Sequence, residues 1–211
     1  MTSSRLPFRR DRASAEPALD PSSWFGAIIV MVGVAALLWI VQVVNSAHRI
    51  NEHGLQPRHL AGLIGIVTMP FLHADWNHLY SNTLPLILIG WVLLLAGLRT
   101  WLVVTALVVL GGGLLTWLVA PGNENIVGAS GLIFGWLGYL LARALFSREV
   151  KWVLIAIVVL FFFGTLLFGV LPTASHQVSW QAHACGFAAG VGAAALLHRT
   201  KGQTALFGRA V

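Results

Sequence analysis

Six long apolar runs, separated after the first by breaks of fewer than ten residues, constrain this chain more than any other feature. They lie at 24–44, 77–97, 101–120, 130–146, 152–171 and 180–198. A hydrocarbon core about 30 Å thick needs about 20 residues of helix to cross it, so each run reads as a membrane span. The first is too long for a signal-peptide core and has no small-residue cleavage site after it, so it reads as an uncleaved span. The expected fold is all-α: a polytopic bundle of six transmembrane helices over 23–198. A cytoplasmic, disordered tail (1–22) precedes it and a cytoplasmic tail (199–211) follows.

Composition supports the same class. Hydrophobic residues make up 57% of the 211-residue chain and charged residues 9%, a balance that would cover a soluble domain with apolar patches too large for a monomer in water. The net charge of +6 reads as topology rather than nucleic-acid binding. With the N-terminus inside, 11 of the 13 Lys and Arg residues fall on the cytoplasmic side, leaving only Arg49 and Arg58 outside. The positive-inside rule then puts both termini in the cytoplasm and makes this a multi-pass protein of the cell membrane. Cys185 is the only cysteine, which excludes an intramolecular disulfide.

The first external loop contains the apolar run Leu60–Leu72, thirteen residues and too short to cross. It is expected in the interface or packed on the bundle.

Polar groups inside a bilayer cost at least a few kcal/mol unless they find partners, so their presence in a span marks a functional hypothesis. Three spans carry such groups in their external halves: His78 and Asn82 in the second, Ser130 in the fourth, His183 in the sixth. Cytoplasmic cations provide a ruler. Asn82, Ser130 and His183 stand 17, 18 and 16 residues from Arg99, Arg148 and Arg199, placing them about 26, 27 and 24 Å above those anchors at 1.5 Å per residue. They share one layer, with His78 one turn further out on the face of Asn82.

A serine hydroxyl is a weak nucleophile, and a histidine beside it can take its proton as it attacks a carbonyl. Ser130 and His183 fit that pair. The Ser130 backbone N–H, at a helix N-terminus, and the side chains of His78 and Asn82 are candidate donors to the resulting oxyanion. No Asp or Glu lies in a span at this depth, so a dyad is expected, with Phe134, at i+4 from Ser130, packing against the imidazole. Gly186 and Gly190 share a face with His183 and would let the sixth helix approach the fourth closely. A metal is not expected: His73 and His78 are five residues apart, not the four that puts zinc ligands on one helical face, and His-Glu-x-x-His is absent. A haem clamped by His78 and His183 is the lesser reading.

The stretches "HLYSN" (His78, Asn82), "GASG" (Gly128–Gly131) and "AHACG" (Ala182, His183, Gly186), in that order on the second, fourth and sixth spans, resemble the rhomboid family of intramembrane serine proteases. The resemblance implies Ser130 as nucleophile, His183 as general base, and His78, Asn82 and the Gly128–Ser130 backbone as oxyanion stabilisers, with no metal or cofactor. It implies transmembrane proteins as substrates, cut near the outer surface of the bilayer, and leaves the oligomeric state open. It also suggests that the fifth span, with Phe161–Gly164, and the loop after it form a lateral gate. Two features depart from the family pattern: the first loop lacks a Trp-Arg pair, and Phe134 stands where a tyrosine is frequent. A non-catalytic rhomboid-like binder of membrane segments is the alternative.

Overall fold

The computed structural model describes residues 21–48, 50–172 and 179–207, and the side chains among them at 23–48, 50–172 and 179–198. The basic head, Arg49 and the loop containing His176 lie outside the described residues.

Six long helical rods dominate the described chain, and no strand is present among these residues. The rods are α1 (Pro21–His48), α2 (Trp76–Leu94), α3 (Leu98–Val119), α4 (Ser130–Ser147), α5 (Val150–Phe163) and α6 (Trp180–Phe207). Four of them are long and apolar enough to cross a membrane: α1, α3, α4, and α5 with its 3-10 extension to Val170. The other two, α2 and α6, carry the histidines, Asn82 and other polar residues of the site, which lower their apolarity without shortening them. At its C-terminal end α6 runs as helix through Phe207, past the His198 boundary expected from hydropathy.

Close approach of α4 and α6 is the principal packing event of the fold. A Cβ added to Gly186 would overlap the Gly131 carbonyl, and one added to Gly190 would overlap the Gly135 carbonyl. At Gly138 the added atom would stand 2.5 Å from the Phe187 carbonyl oxygen. Three glycines in register therefore let two backbones touch, the small-residue packing that substitutes for a hydrophobic drive in lipid. α3 adds a third wall through a π-helical turn, Val108–Gly112, where Gly112 faces the Gly186 backbone and Val108 fills the notch at Gly135.

α1 packs on α2, with Met31 seated in the gap left by Gly90 and the Trp39 indole donating to Thr83 Oγ1 at 3.1 Å. α5 is the least buried of the four apolar rods; Phe161 and Phe162 face outward. Its end tightens into a 3-10 segment, Gly164–Val170, that turns back toward α6.

The first loop is folded. Its apolar run forms 3-10 turns at Leu60–Ile64 and Met69–Phe71 around one α-helical turn, Gly65–Thr68. Gly62, Gly65, Met69 and Pro70 face inward while Leu60, Ile64 and Val67 are exposed. The segment is thus packed on the bundle, with Ile66 against Gly113 of α3. Paired backbone bonds between Leu55 and Ile126, both 2.9 Å, tie this loop to the one preceding α4.

Candidate active site

α4 begins at Ser130 because the preceding Gly128 turns the chain. Gly128 has φ +126, outside the range of ordinary L-residues. Its missing Cβ also admits a ring: an added Cβ would stand 2.6 Å from His78 Cε1 and 2.7 Å from its Nε2. Gly128 spends its own N–H on the Met69 carbonyl at 2.9 Å. In this conformation it shapes the turn, with its N–H engaged by the first loop.

The close contact between α4 and α6 has a direct consequence. Ser130 Oγ lies 2.8 Å from His183 Nε2, across 53 residues of sequence. The Phe134 ring stacks on the imidazole at 4.1 Å between centroids and 10° between planes. The other ring nitrogen, Nδ1, lies 2.9 Å from the carbonyl oxygen of Gly169, in the 3-10 segment after α5. A carbonyl only accepts, so Nδ1 carries the proton and Nε2 is left as acceptor for the serine hydroxyl. This carbonyl was not foreseen from the sequence, which offered only packing to orient the ring.

Opposite the pair stands α2. Its first turn is fixed by Asp75, the N-cap, whose Oδ1 accepts the His78 backbone N–H at 2.8 Å. Asn82, one turn along, is 6% exposed, and its Nδ2 has no hydrogen-bond partner among the described residues. A buried amide donor left unpaired costs about 1–3 kcal/mol. At the start of α4 the Ser130 N–H belongs to the first helical turn and has no intrahelical acceptor.

His73, which sequence reasoning considered only as a metal ligand, is fully buried behind this wall. Its Nε2 accepts the Ala129 N–H at 3.4 Å, and its ring meets His78 edge to face at 5.2 Å. Among the described residues no group of three or more His, Cys, Asp or Glu side chains is placed to hold a metal ion.

The chain is thus a multi-pass helical membrane protein with a serine and a histidine from different helices in hydrogen-bond contact. Its residues 58–200, from the first loop through α6, match the Rhomboid domain model, and the chain belongs to the rhomboid family. It is 37% identical over 200 residues to uncharacterized proteins of Mycobacterium tuberculosis and Mycobacterium bovis, covering 90% of this chain and 83% of theirs. An uncharacterized protein of Mycobacterium leprae is 39% identical over 190 residues, covering 86% and 75%.

Proposed function

We propose that this protein is an intramembrane serine endopeptidase that hydrolyses peptide bonds in or near transmembrane segments of other membrane proteins. The observation that carries the reading is the 2.8 Å contact between Ser130 Oγ and His183 Nε2, with Nδ1 held by Gly169. Membership of the rhomboid family supports it.

In this reading Oγ attacks the scissile carbonyl carbon as His183 Nε2 takes its proton. The oxyanion that forms receives N–H donors from Ser130 and Asn82, with His78 on the same wall. The imidazolium then protonates the leaving amine and an acyl-enzyme remains on Ser130. Water, deprotonated by the same Nε2, releases the second product. No metal or cofactor takes part. Phe134 and the Gly169 carbonyl perform the orienting work that a carboxylate performs in a triad. Gly186 and Gly190 set the distance between the helices that carry the two groups.

The proposed topology has six spans with both termini in the cytoplasm, supported by the 11 Lys and Arg residues that this orientation places inside. The site then opens toward the outer surface. α5, least buried and ending on the dyad through Gly169, is the proposed lateral gate for substrate.

A serine-directed fluorophosphonate tests this reading against the non-catalytic binder. Covalent labelling at Ser130, lost in Ser130→Ala, supports the enzyme. No labelling, together with retained binding of a transmembrane peptide, supports the binder.

A further inference from the structure

The N-terminus of α4 lacks the usual side-chain cap. Its N-cap residue is Ala129, which has no group to offer. A Ser or Asp there would fold its oxygen over the N–H groups of the first turn, the space the oxyanion needs. The acceptor comes instead from across the fold: His73 Nε2 takes the N–H of Ala129 itself, one residue before the nucleophile. Together with the Gly128 N–H bonded to Met69 O, this fixes two successive amides of the turn to the first loop, and the next, that of Ser130, belongs to the first helical turn with no intrahelical acceptor.

His73 is itself held from the far side. Its carbonyl accepts Asn45 Nδ2 from α1 and Asn51 Nδ2 from the loop, both at 3.0 Å. Asn45 is 5% exposed and also accepts the Asn51 backbone N–H at 3.1 Å. These amides border a cavity of about 510 Å³ that Gln42 and Asp75 also line and that reaches neither Ser130 nor His183. The ring of His73 backs that of His78. One buried imidazole therefore touches both the nucleophile's turn and the proposed oxyanion histidine.

We infer that His73 is a positioning residue: a neutral imidazole that caps the nucleophile turn from a distance and sets where the Ser130 N–H and the His78 ring stand. The inference rests on the Ser130–His183 reading of the site. It requires an unprotonated acceptor at Nε2, so the proton of the neutral ring sits on Nδ1.

The test uses the full chain reconstituted in liposomes, with a transmembrane reporter and a fluorophosphonate probe. Three variants are compared: His73→Leu has no acceptor, His73→Gln places an amide oxygen near the position of Nε2, and His73→Asn is polar but too short to reach Ala129. His73→Leu and His73→Asn are expected to lower kcat about 10- to 100-fold with KM within twofold, and to slow Ser130 labelling in parallel. His73→Gln is expected to recover most of both. Should His73→Leu fail to fold, the contrast between Gln and Asn carries the same decision. Full activity in His73→Asn, or a Gln variant that folds like wild type yet is as slow as Asn, overturns the inference while leaving the dyad standing. A wild-type protein that neither labels nor cleaves overturns the dyad, and this inference with it.

Discussion

Gly186 of α6 rests against the carbonyl of Gly131 in α4, with no room for a methyl group between them. That contact lies one turn from His183 on one helix and one residue from Ser130 on the other. Gly186→Ala must therefore push the helices apart at the dyad. Overpacking of this kind costs roughly 1–3 kcal/mol, and the hydrogen bond between the two side chains should lengthen with it. Thermal unfolding in detergent should show a lower midpoint, and reporter cleavage should fall at least tenfold. Gly33→Ala, at a lipid-facing position with nothing within 4 Å of the added atom, should match wild type in both; equal behaviour of the two variants would contradict this packing account.

Asn82 offers the opposite separation of stability from activity. Its buried Nδ2 has no partner, so Asn82→Leu removes an unpaired donor with little change in volume. The unfolding midpoint should hold or rise. Loss of one oxyanion donor costs about 10²–10³-fold in kcat, with KM nearly unchanged. A variant that loses stability and keeps turnover would place Asn82 in the framework and outside the chemistry.

The Gly169 carbonyl is tested through its own missing side chain. A Cβ there would stand 2.9 Å from Phe134 Cζ and 3.1 Å from His183 Nδ1. Gly169→Ala should displace the carbonyl and release the imidazole to the wrong tautomer. The expected fall in kcat is roughly 10- to 100-fold, a fraction of the 10²–10⁴ that general-base catalysis contributes. An unchanged kcat would show that stacking on Phe134 alone orients the ring.

His73 predicts a pH dependence of stability. Burial, and next the neighbouring His78, lower its pKa from 6.5 to about 4, against the opposing pull of the Phe71 carbonyl and Asp75. The unfolded chain takes up this proton below pH 6.5 and the folded one only near 4. The corresponding stability is complete above 6.5 and is lost as pH falls toward 4, to a total of about 3 kcal/mol. His73→Gln should show a shallower loss over this window in acid unfolding series. Parallel curves for variant and wild type would contradict it.

The meeting of Ser130 with His183 was legible in the sequence because a helix has a fixed rise per residue. Counting residues from each to a basic residue near the far end of its helix was enough to show that Ser130 and His183 could meet. The glycine offsets beside His183 were legible for the same reason. Gly169 was not, since a backbone carbonyl carries no residue identity and its 3-10 segment bends where hydropathy reads a straight span. His73 was missed for another reason. Its spacing to His78 was weighed as if both lay on one helix, whereas His73 precedes α2 and reaches Ala129 through the folded first loop. The π-turn in α3 also had no signal beyond the Gly111–Gly113 cluster.

The most direct measurement is cleavage of a transmembrane reporter by the purified full chain in liposomes, compared among wild type, Ser130→Ala and His183→Ala. The account predicts metal-independent cleavage by wild type and a loss of about 10³-fold or more in each variant, with neither loss deepened when both changes are combined. Wild-type turnover in either single variant would contradict it.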